Sequence, residues 1–354
     1  MIKLGIIGTG GMANGHAATF SAMRGVKVVA CCDVAPERAA AFAEKHDIPR
    51  VYTDYRIMLD TEKLDAVTNV TPDAMHAEIS LAVIAHGLAI LCEKPLATSL
   101  EDACRMRDAA RQAGVINMVN FSYRNASGLQ KAAEVVRAGT LGRILHVEAS
   151  YLQSWLVNTS WGRWQESPGL AWRLSTRHGS AGVLGDLGCH LYDMTAFLCG
   201  QDLAEINCQL RTFDKGLPDN TLGEYVLDAN DSFAAQITLS GGGLGVVHSS
   251  RWATGHCNSL RVRVYGDRGA IEVDLDRDWH GYRICTGKNI ENFTWKAVTC
   301  KPTPSNFDRF IKSIKTGEND INDFANGAKV QAYLHYSFLS DALHKPVQVE
   351  LANP

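Results

Sequence analysis

The first third of the chain restricts the fold more than any other part, because short apolar runs alternate there with stretches of helical character. The runs are Lys3–Ile7, Lys27–Cys32, Ala66–Val70, Leu88–Cys92 and Val115–Val119; between them lie Ala13–Met23, Pro36–Lys45, Ala74–Ala85 and Leu100–Gln112. Repetition of strand and helix builds a parallel sheet with helices on both faces. The runs carry little polar alternation, as expected of strands covered on both sides. The pattern is complete near Asn120, which places an α/β domain over residues 1–122.

At 354 residues the chain exceeds what one hydrophobic core usually serves. After one more helix, Leu129–Ala138 ended by Gly139, the strand-like runs lengthen and helices become sparse. Candidates are Ile144–Leu152, Ile206–Phe213, Asp231–Leu239, Gly245–Trp252, Ser259–Tyr265 and Ala270–Asp274. They predict an α+β domain over residues 123–354 with a large, open, mostly antiparallel sheet. Ser240-Gly241-Gly242-Gly243 reads as a hairpin turn, since no Gly-Lys-[Ser/Thr] follows it. Helices near Phe307–Ile314 and Asn326–Leu343 are expected to pack against one or both domains.

Composition narrows the function. A formal net charge of −3 gives no basic field for nucleic acid. No run of about 18 apolar residues suits a membrane span, and the opening residues lack a secretory pattern, so a soluble, cytoplasmic protein is expected. The ten cysteines are scattered without Cys-x-x-Cys spacing and read as reduced thiols. No metal site is expected: His-Glu-x-x-His is absent, and His146-x-Glu148 lacks a Cys-x-x-Cys partner. The Gly-x-Ser-x-Gly nucleophile elbow is absent too.

The chemistry-bearing residues start at Gly8-Thr9-Gly10-Gly11-Met12-Ala13, which fits G-x-G-x-x-[G/A] where a strand ends and a helix begins. Gly8 permits the tight turn, Gly10 lets backbone approach a pyrophosphate, and Ala13 lets helix and sheet pack closely. The helix start then offers N–H groups and a positive dipole end to an anion. Asp33 closes the second strand, where a carboxylate accepts from adenosine ribose hydroxyls and repels a 2′-phosphate. NAD is therefore preferred, with NADP left open because Arg38 offers a phosphate an alternative partner. Asp33 also suits a helix cap ahead of Pro36.

Two further strand ends face the same crevice: Thr71-Pro72 with His76 four residues on, and Glu93-Lys94-Pro95. Lys94 stands there either beside a cofactor or in a surface contact with Glu93. In the second domain, Ala181-Gly182-Val183-Leu184-Gly185-Asp186 leads into an apparent helix holding His190 and Asp193. Asp186 and His190, four apart, share a helix face, so a carboxylate can orient an imidazole that exchanges protons near neutrality. A hydrogen-bonded core histidine fits the segment as well. Trp155, Trp161, Trp164 and Trp172, with Arg163 and Arg173 among them, suit either a sugar-binding loop or packing.

The glycine turn, Thr71-Pro72 with His76, Glu93-Lys94-Pro95 and Asp186 followed by His190, in this order, resemble the Gfo/Idh/MocA oxidoreductases, which include inositol dehydrogenases and glucose-fructose oxidoreductase. The resemblance spans the chain and implies a Rossmann dinucleotide-binding domain followed by an open-sheet domain. It implies Lys94, Asp186 and His190 as the catalytic group: Lys94 polarising the reacting oxygen, His190 acting as general acid/base, and Asp186 orienting substrate or histidine. Glu93 and His76 would line the nicotinamide ribose, and Asn120 and Arg124 belong to the family's interdomain segment. The expectation is an NAD(P)-dependent sugar or polyol dehydrogenase forming a homodimer or homotetramer. Cofactor contacts are expected from Gly8, Thr9, Gly10, Gly11, Met12, Asp33, Arg38, Thr71, Pro72, His76, Glu93, Lys94 and Asn120. Substrate contacts are expected from Lys94, Arg124, Trp155, Trp164, Trp172, Arg173, Asp186 and His190. The alternatives are a glycosidase using NAD transiently and a non-enzymatic sensor of sugar or cofactor.

Overall fold

Six short strands open the chain: β1 (Ile2–Ile7), β2 (Val26–Cys32), β3 (Arg50–Tyr52), β4 (Ala66–Asn69), β5 (Ala89–Cys92) and β6 (Asn117–Val119). In the computed structural model, which describes residues 1–351, they pair in parallel in the order β3-β2-β1-β4-β5-β6. The helices between them are α1 (Ala13–Ala22), α2 (Pro36–His46), α3 (Tyr55–Thr61), α4 (His76–Ala85) and α5 (Leu100–Ala113). β4 and β5 are buried along their whole length, which explains their unbroken apolar character. The strand β3 and helix α3 are too short to show periodicity, and sequence reading passed over them.

Spatial packing groups residues 1–121 and 304–331 in one unit, and 122–303 with the described residues from 332 onward in a second. The linear reading put the whole of 123–354 in the second domain; positions 352–354 lie outside the described residues. Residues 304–331 join the first unit for two physical reasons. The helix Asn306–Thr316 buries Phe310 and Ile311 in the same core as Leu4, Ile6, Phe20 and Met118, each such side chain being worth about 1.5–3 kcal/mol. The edge of β6 is also closed by asparagines: the Asn319 side chain accepts from the Asn117 N–H at 2.9 Å. Asn322 accepts from the Val119 N–H through its backbone and donates to the Val119 carbonyl through its amide, at 2.9 and 2.8 Å. These bonds satisfy backbone groups that an edge strand would leave bare.

The second unit carries α6 (Ser127–Arg137), β7 (Ile144–Leu152), the one-turn α7 (Pro168–Ala171), α8 (Cys189–Cys199) and β8 (Leu203–Arg211). Then come the small ribbon β9 (Thr221–Leu222) and β10 (Tyr225–Val226), followed by β11 (Ser232–Leu239), β12 (Leu244–Ser250), β13 (Ser259–Gly266) and β14 (Gly269–Asp274). β15 (Gly281–Thr286), the short α9 (Lys288–Glu291), β16 (Lys296–Thr299) and β17 (Val347–Gln348) complete it. Nine strands pair in the order β16-β15-β14-β13-β7-β12-β11-β8-β17. Every pairing is antiparallel except β7 with β12, so the mostly antiparallel sheet expected from sequence is present. Ser240–Gly243 is the turn joining β11 and β12, with Gly242 at φ +86°. Burial alternates along β11 and β13, one face in the core and one outside. β15 and β16 lack that alternation, which is why the sequence did not announce them.

Candidate active site

In the first unit, Gly8 sits at φ +89°, and a Cβ there would lie 2.5 Å from the Val70 carbonyl oxygen, so only glycine fits. Gly10 and Gly11 differ: a Cβ on either would meet nothing within 4 Å, which leaves bare backbone facing open space at the start of α1. That is a cradle suited to a pyrophosphate. Asp33 is buried behind it and accepts from the Thr9 N–H and hydroxyl at 2.9 and 2.8 Å and from the Ala35 N–H at 3.0 Å. Arg38 donates to it through Nε at 3.0 Å. Burial opposes ionisation of Asp33, but these donors, Arg38 foremost, hold its carboxyl down at about 2. Met12 is exposed at the mouth of the turn.

Glu93 and Asn120 meet in a sealed network. Glu93 Oε1 accepts from Asn120 at 2.6 Å and lies 2.8 Å from His16 Nε2, whose Nδ1 reaches the Thr68 hydroxyl at 2.8 Å. Asn306 donates to Asn120 Oδ1 at 2.9 Å and to the Phe121 carbonyl at 3.0 Å. Burial works against a charge on Glu93, yet His16, Asn120 and the nearby Lys94 bring its carboxyl down to about 2. His16 and Asn306 carried no motif and were missed; their signal is geometric alone.

Lys94 is half-buried at the end of β5, joined to Pro95 by a cis peptide bond. Thr71 is pinned by Asn69, whose Oδ1 accepts from its hydroxyl at 2.7 Å, and Pro72 beside it is exposed. His76, expected to line the nicotinamide ribose, has both ring nitrogens occupied by the protein itself. It is fully buried, with Nδ1 2.7 Å from the Pro95 carbonyl and Nε2 3.0 Å from that of Thr71. Both ring nitrogens are thus committed to clipping the two strand-end loops together, and two carbonyl acceptors favour the protonated ring.

In the second unit the segment holding Asp186 is a π-helical turn, Leu184–Gly188, running into α8; such wide turns recur at functional sites. Asn230 fixes its start: it accepts from the Leu184 N–H at 3.0 Å and donates to the Ala181 carbonyl at 3.1 Å. Gly182, at φ +67°, passes so close to Asn230 that a Cβ would lie 2.7 Å from its backbone nitrogen. The glycines of this stretch therefore serve packing. His190 is 5% exposed, and its ring has the rings of Tyr123 and Tyr151 at 4.7 and 6.3 Å between centroids. Tyr151 donates to Asn258 at 2.7 Å, and Asn258 donates to Tyr123 at 3.1 Å. Burial, then Tyr123, pushes the Tyr151 hydroxyl above the usual phenol range. Sequence reading singled out neither tyrosine.

Three expected substrate contacts are placed differently. Arg124 is buried and bidentate to Asp193 at 2.8 and 2.6 Å, with its guanidinium 4.3 Å from the Phe197 ring centre; the pair ties Ser122–Asn125 to α8, and Asp193 is spent on Arg124. Trp155 and Trp164 lie 2% and 3% exposed in a satellite core with Leu156, Leu174 and Leu227, because a loop this long needs its own apolar interior. Trp172 and Arg173 remain half-buried, the guanidinium 4.7 Å from the indole. Among the described residues, no group of three or more His, Cys, Asp or Glu is placed to hold a metal, and no helix is long and apolar enough to cross a membrane.

Comparison with known proteins agrees with these two constructions. Residues 2–121 match the oxidoreductase family with an NAD-binding Rossmann fold, and residues 129–272 match the GFO/IDH/MocA C-terminal domain. Levoglucosan dehydrogenase of Pseudarthrobacter phenanthrenivorans is 29% identical over 299 residues, 78% of this chain and 74% of that protein. D-apiose dehydrogenase of Paraburkholderia graminis is 30% identical over 274 residues, 77% of this chain and 68% of that protein. A structure of levoglucosan dehydrogenase in complex with NADH and levoglucosan superposes with a TM-score of 0.88 at 26% identity, covering 99% of this chain and 100% of that one.

Proposed function

The chain belongs to the Gfo/Idh/MocA oxidoreductase family, and from that premise we propose that it is an NAD-dependent dehydrogenase oxidising a hydroxyl of a monosaccharide, cyclitol or sugar derivative to a carbonyl. Its relatives named above are dehydrogenases of levoglucosan and D-apiose. The observation that carries the reading is the setting of His190, a buried imidazole walled by two tyrosines just beyond a carboxylate in a π-helical turn.

The turn Gly8–Met12 and Asp33 would hold the dinucleotide, the open backbone at Gly10 and Gly11 taking the pyrophosphate and Asp33 the adenosine ribose. When bound, the nicotinamide supplies the hydride acceptor. His190 takes the proton of the reacting hydroxyl, because histidine exchanges protons near neutral pH. Lys94 presents positive charge to the oxygen as that proton leaves. Asp186 accepts a hydrogen bond from a neighbouring hydroxyl and so orients the ring. The carboxylate of Asp33 favours NAD over NADP, since it competes with a 2′-phosphate for this place and is already paired with Arg38. The outward residues of β7, β12 and β13, including Glu148, Val246 and Arg261, offer a broad face for a second copy, which light scattering would read as a homodimer or homotetramer.

A panel of sugars and polyols, run with NAD and with NADP, tests the reading. Reduced nicotinamide should accumulate with at least one member, faster with NAD. Glycoside cleavage without accumulation would replace the reading by transient oxidation, and tight sugar binding without turnover would replace it by a sensor.

A further inference from the structure

Arg251, immediately after β12, is a completely buried arginine that no sequence motif singles out. Its Nη2 donates to Asp186 Oδ2 at 3.1 Å, and its Nη1 donates to the Arg173 carbonyl at 3.0 Å. That carbonyl also accepts from the Ser180 hydroxyl at 2.6 Å, and the Trp155 ring centre lies 5.2 Å from the guanidinium carbon. The guanidinium is therefore fixed by an indole, a loop carbonyl and one carboxylate oxygen.

Charge balance gives this arrangement a direction. The buried Lys215 is paired with Asp231 at 2.8 Å, both side chains fully buried; Asp231 also attracts the Arg251 guanidinium, but only Asp186 is joined to it by a side-chain hydrogen bond. Arg173, half-exposed, brings its Nε to 4.0 Å from Asp186 Oδ2. Tyr151 lies within electrostatic reach of Asp186, and His190 follows four residues on. A guanidinium does not shed its proton in a protein, so protonation of Asp186 would leave Arg251 buried without its direct counter-charge.

Resting on the proposed function, we propose that Arg251 is a positioning residue: it fixes the orientation of Asp186 and keeps it an anionic acceptor, so the substrate must present a hydrogen-bond donor there. A hydroxyl qualifies; its deoxy or O-methyl counterpart does not. Because the same guanidinium holds the Arg173 carbonyl, it also sets the position of the Trp172–Arg173 loop relative to that carboxylate.

The test uses the full-length protein labelled with 13C at aspartate side-chain carboxyls, the Asp186 resonance being identified by its loss in D186N. In R251M the Asp186 titration midpoint should move up by about one pH unit or more, and in R251K by less. Tryptophan fluorescence reports whether each variant is folded; if R251M does not fold, R251K decides. An unchanged midpoint in a folded variant overturns the proposal. Turnover of D186N on the sugar selected by the panel is read separately: undiminished turnover overturns the role given to Asp186, whereas the midpoint still reports on Arg251. With both intact, R251K should recover part of the kcat/KM lost in R251M.

Discussion

Glu93 and Asp186 are carboxylates placed beside short apolar segments, yet their surroundings differ in kind. Glu93 is 8% exposed and held by His16 and Asn120, with Asn306 behind them. The side chain of Asp186 is 34% exposed and rests on a buried guanidinium. The first arrangement has all its acceptors occupied by the protein itself, so it sets the backbone that presents Lys94. The second keeps one side toward solvent, as a group that must meet a ligand does. Of these two carboxylates, the buried one shapes the backbone around the site and the partly exposed one is placed to meet a ligand.

The largest effect expected from this contrast is on the acting residues. Lys94→Ala and the closer-sized His190→Asn should each lower kcat by about 10²–10⁴-fold in a protein that thermal unfolding shows to be folded. Full turnover in either variant would break the division. Trp164→Ala should do the reverse. It opens the satellite core and destabilises the protein by about 3–5 kcal/mol, read by urea unfolding; a raised KM at unchanged stability would return this indole to the substrate.

The next effect sharpens the contrast through pH. The Glu93 carboxyl is lowered from 4.5 to about 2 in the folded protein. A depressed carboxyl contributes stability that is full above 4.5 and is lost as pH falls toward 2, on the order of 3 kcal/mol. All seven tryptophans lie between Trp155 and Trp295, within the second unit. Fluorescence therefore follows that unit, and hydrogen exchange at β1, β4 and β5 follows the first. Amide protection in those strands should fall between pH 4.5 and 2, and Glu93→Gln should flatten that dependence. The smallest effect is on cofactor choice: Asp33→Ser should weaken NAD binding by about tenfold and narrow its margin over NADP, measured by titration calorimetry.

What the sequence disclosed follows the same line. Gly8, Asp33 and Lys94 sit at strand ends whose spacing is set by local periodicity, and the alternation of strand and helix made them readable. Tyr123, Tyr151 and Asn258 meet through bonds spanning 107 and 135 positions, and Arg251 reaches Asp186 across 65. No local pattern encodes such meetings. The same limit explains Arg124, Trp155 and Trp164. Their residue types suit ligand contact, and only tertiary packing shows them facing Asp193, Leu174 and Leu227 instead. His76 had the right position in the chain, but the carbonyls of Thr71 and Pro95 claim both its nitrogens.

The asparagine closure of β6 has a consequence for how the protein is made. Synthesis proceeds from the amino end, and N-terminal domains generally fold first. The bond joining Asn117 to Asn319 spans 202 positions, so all six parallel strands leave the ribosome long before the segment that seals their edge. The dinucleotide-binding unit must wait, with one strand open to unwanted pairing, until the other unit has been translated. A nascent chain stalled before residue 304 should therefore bind holdase chaperones through that edge, whereas a chain released beyond residue 331 should not.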